Sequence, residues 1–123
     1  MRILGIDYGR RKIGIAVSES GLSEPLKVLR VESFDDAVSK VKKVIESEKP
    51  EKVVVGISEG EMGEESEKFA NEIGAETFDE TLTSQDAQRL SIEAGVGRKK
   101  RKGMEDAYAA ALILQNYLDT LTG

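Results

Sequence analysis

A continuous apolar and largely β-branched run in the middle of the chain constrains the fold most. Residues 53–57 read Val-Val-Val-Gly-Ile and contain no polar side chain, whereas a strand with one solvent-exposed face would alternate apolar and polar residues. Such a run is typical of a central parallel strand that is covered on both faces. The sequence therefore predicts an α/β fold with helices on both sides of a sheet.

Three strands are predicted ahead of this central strand. Two apolar runs, Ile3–Ile6 and Ile13–Val17, are joined by a short basic turn, which is typical of an antiparallel hairpin. A third strand is placed at Leu26–Val31. Ser33 and Asp36 have the spacing of a capping box, so they predict the start of a helix that leads into the central strand.

The second half of the chain alternates helical and strand patterns. A loop is predicted at Glu59–Glu65, followed by a helix and by a short strand at Ala75–Phe78. Another helix is predicted over residues 83–95, and a mobile basic loop at Gly95–Gly103. The last helix carries an apolar stripe that is expected to face the core, formed by Met104, Ala107, Ala111, Leu114, Leu118 and Leu121.

The order of these elements predicts a mixed five-stranded sheet. An antiparallel three-strand meander comes first and parallel strands follow, with helices on both faces. The 123 residues suffice for one hydrophobic core, so a single domain is expected over residues 1–123. Ligands of such sheets gather beyond the carboxyl ends of the parallel strands, and functional residues are expected there.

The composition excludes several kinds of chemistry. The chain has no cysteine and no histidine, so thiolate and imidazole metal sites are excluded, and catalysis must depend on carboxylates, lysines, hydroxyls or a bound metal. The remaining oxygen ligands favour magnesium or manganese. No signal peptide or membrane-spanning run is recognised, which predicts a cytoplasmic protein with no membrane contact.

Acidic residues stand at three places that the predicted fold could bring together. Asp7 ends the first strand, Asp79 and Glu80 follow a later strand, and Glu105 and Asp106 open the last helix. Clustered carboxylates bind divalent ions, and two such ions about 4 Å apart can activate water and stabilise the leaving oxygen of a phosphodiester. The pattern therefore suggests phosphodiester hydrolysis with Mg²⁺ or Mn²⁺ as the cofactor.

Asp7, Glu80 and Asp106 are the preferred ligands, and the small side chains of Ala109–Ala111 would let the last helix approach the sheet. Each acid also has a purely structural interpretation. Asp7 could form a turn, Glu80 could precede a helix, and Asp106 could interact with the helix dipole. Their joint placement at one edge favours the metal site.

Two basic segments flank these acids. One is the hairpin tip, formed by Arg10, Arg11 and Lys12, and the other is a run of five cations directly before the last acidic pair: Arg98, Lys99, Lys100, Arg101 and Lys102. Such runs are often solvated loops or sorting signals. In a chain with a net charge of −5, however, cations beside a metal site favour contact with the phosphates of a nucleic acid.

Three motifs of the chain resemble those of the YqgF (RuvX) family, in the same order and spacing from Met1 to about Leu118. They are the segments Gly5-Ile6-Asp7-Tyr8-Gly9 with Gly14-Ile15-Ala16-Val17-Ser18, Asp79-Glu80-Thr81-Leu82-Thr83, and Lys100-Arg101-Lys102 before Asp106-Ala107-Tyr108-Ala109-Ala110. The resemblance implies a ribonuclease H-like fold related to the RuvC Holliday-junction resolvases. It places the acidic site on Asp7, Glu80 and Asp106, with Asp79 as a neighbour.

The resemblance implies one of two substrates: branched DNA, or the precursor of small-subunit ribosomal RNA. The protein is expected to be a monomer or a homodimer, and symmetric resolution of a four-way junction would require paired active sites. The chain departs from the family pattern at Glu19, Ser58 and Thr81, and the acidic segment Ser58–Glu65 would repel a phosphate backbone. These departures bear on substrate choice and leave the three acids in place. An acidic loop beside the site could narrow the substrate range, or it could mark a member of the family that has lost its nuclease activity.

Two other function classes are consistent with the same opening motif. Actin-like ATPases and sugar kinases also begin with a strand that ends in Gly-x-Asp-x-Gly, but they use two such domains, and 123 residues supply one. A non-catalytic nucleic-acid-binding module is the other alternative. The presence of all three acids weighs against it.

Overall fold

The computed structural model describes residues 1–57, 60–79 and 103–122, and a five-stranded sheet with three helices is formed by them. In chain order, the elements are β1 (Ile3–Asp7), β2 (Lys12–Ser18), β3 (Ser23–Arg30), α1 (Phe34–Glu48), β4 (Lys52–Ile57), α2 (Glu61–Ile73), β5 (Glu76–Asp79) and α3 (Glu105–Thr122). The helix predicted over residues 83–95 and the loop at Gly95–Gly103, apart from Gly103 itself, lie outside the described residues.

The sheet has the predicted mixed topology, with the strand order β3-β2-β1-β4-β5. β1 pairs with β2 and β2 pairs with β3 in antiparallel fashion, whereas β1–β4 and β4–β5 are parallel. Val54 and Val55 of β4 are both completely buried and belong to cores on opposite faces of the sheet. This confirms the inference drawn from the apolar run.

Both faces of the sheet are covered in the described residues, one by α1 and α2 and the other by α3. Leu4 and Ile6 of β1 pack with α1 and α2, where Val41 and Phe69 are completely buried. Ile3 of β1 lies on the other face, in a core formed with α3. Because side chains alternate along a strand, Gly5 and Asp7 share the α3 face with Ile3.

The limits of several elements differ from the sequence-based prediction: β1, β2 and β4 by one residue at one or both ends, and β3, α2 and β5 as follows. β3 begins at Ser23 and not at Leu26, and it contains Pro25, which is tolerated because β3 is an edge strand. The loop predicted at Glu59–Glu65 is wrong from Glu61 onward, since α2 begins there and carries acidic residues in its first turn, where the helix dipole favours them. β5 ends one residue later than predicted, at Asp79.

The start of α1 and the buried stripe of α3 were predicted more closely. The Ser33 hydroxyl accepts a hydrogen bond from the Asp36 amide at 3.0 Å, as a helix cap should. In α3, Ala107, Ala111, Leu114 and Leu118 are buried as expected. Leu121 is 57% exposed, so its place in the core stripe is wrong, and Met104 precedes the helix. None of the described helices is long and apolar enough to span a membrane.

Candidate active site

Asp7 is the last residue of β1 and lies at the carboxyl edge of the sheet. Its side chain is half-buried and belongs to the face that α3 covers. In the antiparallel ladder, Asp7 is directly opposite Gly14 of β2. Residues paired in this way have Cα atoms about 4.5 to 5.5 Å apart. Whatever touches Gly14 on the α3 face is therefore a close neighbour of Asp7.

The first turn of α3 touches Gly14. A Cβ atom built on Gly14 would lie 1.8 Å from the carbonyl oxygen of Asp106 and 2.8 Å from the amide nitrogen of Ala107. These are backbone atoms, so only a residue without a side chain fits beneath them. The structure thus brings the half-buried Asp106 to the same face and the same edge of the sheet as Asp7.

A second glycine allows the same close approach further along α3. A Cβ atom on Gly5 would lie 2.6 Å from the Leu114 Cβ and 3.2 Å from the Ala110 carbonyl oxygen. Ala110 is completely buried at this contact, and Ala107 is completely buried at the Gly14 contact. Of Ala109–Ala111, which the sequence argument expected at the helix–sheet contact, Ala110 is found there. That argument missed the two glycines, although a glycine inside a strand is a recognised sign of close backbone approach.

Asp79 is not brought together with Asp7. It is exposed at the end of β5, two strands away from β1, which corresponds to roughly 10 Å across the sheet. Its neighbour Phe78 packs against Tyr117 of α3, with 5.7 Å between the ring centroids. By the alternation of the strand, Asp79 therefore belongs to the opposite face from Asp7.

The remaining predicted residues are only partly covered by the structure. Glu80 and the cations at 98–102 lie outside the described residues. Within residues 1–57, 60–79 and 103–122, no three acidic side chains are grouped closely enough to hold a metal ion. The described part of the chain therefore supplies two of the three predicted carboxylates, Asp7 and Asp106.

A hydrogen-bonded cluster fixes the residues that follow Asp7. The Tyr8 hydroxyl donates to Glu65 of α2 at 2.6 Å, and the Arg10 Nε donates to the same carboxylate at 3.0 Å. The Tyr8 ring is buried and stacks on Phe69 at 4.6 Å. The turn after β1 is thus tied to α2 on the face opposite Asp7 and Asp106.

The same cluster shifts the protonation of its members. Burial, and then the hydrogen bond to Glu65, raises the pKa of Tyr8 well above its ordinary value of 10.0. The Tyr8 hydrogen bond and the adjacent Arg10 lower the pKa of Glu65. Sequence reasoning missed Glu65 because it was assigned to a loop, and nothing in the local sequence indicates a partner 57 positions away.

The three cations of the hairpin tip have different surroundings. Arg10 is paired with Glu65, although 60% of its side chain is exposed. Arg11 and Lys12 are exposed and line an open groove of about 670 Å³ together with Arg30 and Lys40. Positive charge is therefore concentrated next to the edge that carries Asp7.

The donor set at this edge fits a hard divalent cation. Asp7 and Asp106 offer carboxylate oxygens, which Mg²⁺ and Mn²⁺ prefer, and the chain has no softer histidine or cysteine ligand. Gly14 lets the α3 backbone at Asp106 pack directly against β2. Asp7, the second oxygen donor, lies opposite Gly14 at the end of β1. Such rigidity is what a metal-binding pair requires.

Comparison with known proteins places this arrangement in context. A protein of Lactococcus lactis subsp. lactis, described as "Putative pre-16S rRNA nuclease", is 37% identical over 134 residues, covering 96% of this chain and 94% of that protein. The structure of T. thermophilus RuvC in complex with a Holliday junction substrate matches with a TM-score of 0.66 at 18% identity, over 100% of this chain and 96% of that one.

The fowlpox virus Holliday junction resolvase matches with a TM-score of 0.65 at 12% identity, over 98% of this chain and 99% of that one. These structural likenesses confirm the predicted ribonuclease H-like fold. The family model described as "RuvX: Holliday junction resolvase" matches residues 1–120. Together with the identity to the Lactococcus protein, this match shows that the chain belongs to the RuvX family of nucleases.

Proposed function

We propose that this protein is a metal-dependent endonuclease that hydrolyses phosphodiester bonds in structured nucleic acid. It acts as a single domain over residues 1–123, with Asp7, Glu80 and Asp106 as metal ligands. The observation that carries the proposal is the contact of the Asp106 backbone with Gly14, directly opposite Asp7. That contact is not needed for a solvated turn or a simple helix start, and it supports the proposal because it brings the backbone of Asp106 to the end of the sheet where Asp7 lies.

The assignment of Glu80 is supported by the geometry of β5. Asp79 belongs to the face opposite Asp7, because Phe78 packs against α3 on the Asp7 face. Of the acidic pair, Asp79 is thereby the poorer candidate. The role goes to Glu80, as the family resemblance implies.

The chain's own residues have distinct tasks in this reaction. A bound divalent ion supplies water activation and charge stabilisation at the phosphate. Asp7 holds its carboxylate in place because it ends a strand that is paired on both sides. Asp106 is held in place because the first turn of α3 packs directly against Gly14. Glu65 keeps the turn after Asp7 in one conformation through Tyr8 and Arg10.

The basic segments bind the substrate. Arg11 and Lys12 are exposed near the end of the sheet that carries Asp7, which we call the catalytic edge. The cations at 98–102 directly precede the helix that carries Asp106. Cations that contact phosphates supply most of the sequence-independent affinity for nucleic acid. Because the chain as a whole is acidic, this attraction must be local.

Two substrates are to be tested side by side. The name of the Lactococcus relative favours precursor 16S rRNA, and the RuvC complex favours four-way DNA junctions. The relative is about twice as similar in sequence as RuvC, so the RNA is the first choice. A junction is cut symmetrically by paired active sites, so DNA cleavage also predicts a homodimer in solution.

The experiment incubates purified protein with end-labelled precursor RNA and with labelled junctions, in Mg²⁺ or Mn²⁺. We expect Asp7→Asn and Asp106→Asn to abolish cutting and to weaken Mn²⁺ binding in calorimetry. Asp119→Asn is the matched control, because it removes an exposed carboxylate from the far end of α3. If the native chain cuts neither substrate, it is a non-catalytic module. If Asp7→Asn cuts normally, the site is misassigned.

A further inference from the structure

Two cations face each other across the strands β2 and β3 at the catalytic edge. Lys12 and Arg30 are directly opposite in the antiparallel register, and both are exposed. Like charges in this position repel each other and destabilise the strand pair. A pair of this kind at the end of an edge strand is therefore unfavourable unless an anion lies between them.

The surroundings of this pair do not supply that anion. Lys12 and Arg30 make no ion pair with any residue in the described ranges 1–57, 60–79 and 103–122. The groove that they line also contains Arg11, Lys40 and a single carboxylate, Glu32. The positive charge of the groove is thus only partly balanced.

The backbone gives the groove a defined shape. The Val31 amide donates to the Arg11 carbonyl at 2.9 Å, which closes the end of the β2–β3 ladder. Lys40 of α1 donates from its Nζ to the Arg30 carbonyl at 2.7 Å, and it also pairs with Asp36 at 3.3 Å. Arg30 is consequently held at its main chain, while its guanidinium stays exposed.

The register relates the pair to the catalytic edge. Lys12 is two residues before Gly14, so both side-chain positions share the face of Asp7 and Asp106. Two residues of strand span about 7 Å, which corresponds to roughly two base steps of 3.4 Å measured along the axis of a duplex. A substrate with one phosphate at Asp7 would therefore bring a neighbouring phosphate to Lys12 and Arg30.

We propose that Lys12 and Arg30 form a phosphate-binding subsite, which holds a backbone phosphate of the nucleic acid one or two positions from the scissile bond. The inference rests on the proposed function, since it takes the scissile phosphate to be at Asp7. The planar guanidinium of Arg30 would donate hydrogen bonds to the phosphate oxygens, and the ammonium group of Lys12 would add a point charge. Arg11 and Lys40 contribute to the positive field of the groove.

The first test measures binding without cutting. Fluorescence anisotropy in EDTA compares labelled RNA and labelled DNA junctions on the wild-type chain and on the double variant Lys12→Gln/Arg30→Gln. The matched control is Lys42→Gln/Lys43→Gln, which removes two exposed cations of α1 outside the groove and gives the same net charge. We expect affinity to fall about tenfold or more in the first variant and to change little in the control.

Salt dependence and chemical mapping sharpen the test. Losing one or two phosphate contacts should reduce the slope of log K against log salt by about 1 to 2. Neutral methylphosphonates placed one at a time should weaken wild-type binding at several positions, and one or two adjacent ones of these should have no effect on binding to Lys12→Gln/Arg30→Gln. Circular dichroism verifies that both variants are folded.

The outcomes separate the subsite from the proposed function. If the wild type binds and the groove variant binds with the same affinity and salt slope as the control, the subsite is refuted, whether or not the chain cuts. If the wild type cuts neither substrate but the groove variant alone loses binding, the nuclease proposal fails and the subsite stands. If no nucleic acid is bound at all, both fail.

Discussion

Replacing Gly14 by alanine should displace the carboxylate of Asp106 while leaving it in the chain. The added Cβ would lie 1.8 Å from the Asp106 carbonyl oxygen, whereas real Cβ atoms do not come within 3.0 Å of a neighbour. The difference is 1.2 Å, and the first turn of α3 or the strand beneath it must move by at least that much. Neither partner is a flexible side chain, so the movement reaches the edge that carries Asp7.

Gly14→Ala should lower both the stability of the protein and its rate of cleavage. Overpacking of this kind destabilises by about 1 to 3 kcal/mol, which lowers the midpoint of thermal unfolding by roughly 4 to 12 °C in a domain of this size. A displacement of about 1 Å in a catalytic group can lower the rate about 100-fold. We therefore expect Gly14→Ala to remain folded at 25 °C, to bind Mn²⁺ weakly and to cut about 100-fold more slowly.

Gly5→Ala is the matched control for this variant. Its Cβ would lie 2.6 Å from the Leu114 Cβ, which is 0.4 Å less than 3.0 Å, so α3 must move by at least 0.4 Å. This contact is more than two helical turns away from Asp106. It should lower the unfolding midpoint while retaining most of the Mn²⁺ affinity and cleavage rate. Normal cutting and normal Mn²⁺ binding by Gly14→Ala would refute the idea that this backbone contact positions Asp106. Equal loss in both variants would reduce the effect to general destabilisation.

Three smaller predictions concern the residues that support the site. The pKa of Tyr8 is raised, so its contribution to stability is present below pH 10.0 and is lost as the pH rises above it; urea unfolding should show a steeper alkaline loss for the wild type than for Tyr8→Phe. The pKa of Glu65 is lowered, so its contribution is present above pH 4.5 and is lost as the pH falls. Glu65→Gln should therefore flatten the acid limb and, by releasing Arg10, slow cleavage severalfold. Ser33→Ala removes the cap of α1 and should cost about 1 kcal/mol in urea unfolding.

Much of the architecture follows from local sequence patterns. The apolar run 53–57 identified a central strand, and Ser33 with Asp36 identified a helix start, because both depend on neighbours within a few residues. The mixed sheet with helices on both faces could be predicted for the same reason. The ends of elements are harder to predict: Glu61–Glu65 has no strong apolar period, so the sequence predicts a loop where α2 begins.

The candidate site, like the fold, is predicted only in part by local sequence patterns. The sequence by itself determined which chemistry is available, because a chain without histidine or cysteine has carboxylates as its metal ligands, and it marked Asp7 and Asp106 by their places at a strand end and a helix start. Only the tertiary structure decided that α3 lies on Gly14 opposite Asp7, and that Lys12 faces Arg30. These contacts join residues that are far apart in the chain. They are fixed by strand register and helix packing across the whole core, and no local pattern encodes them.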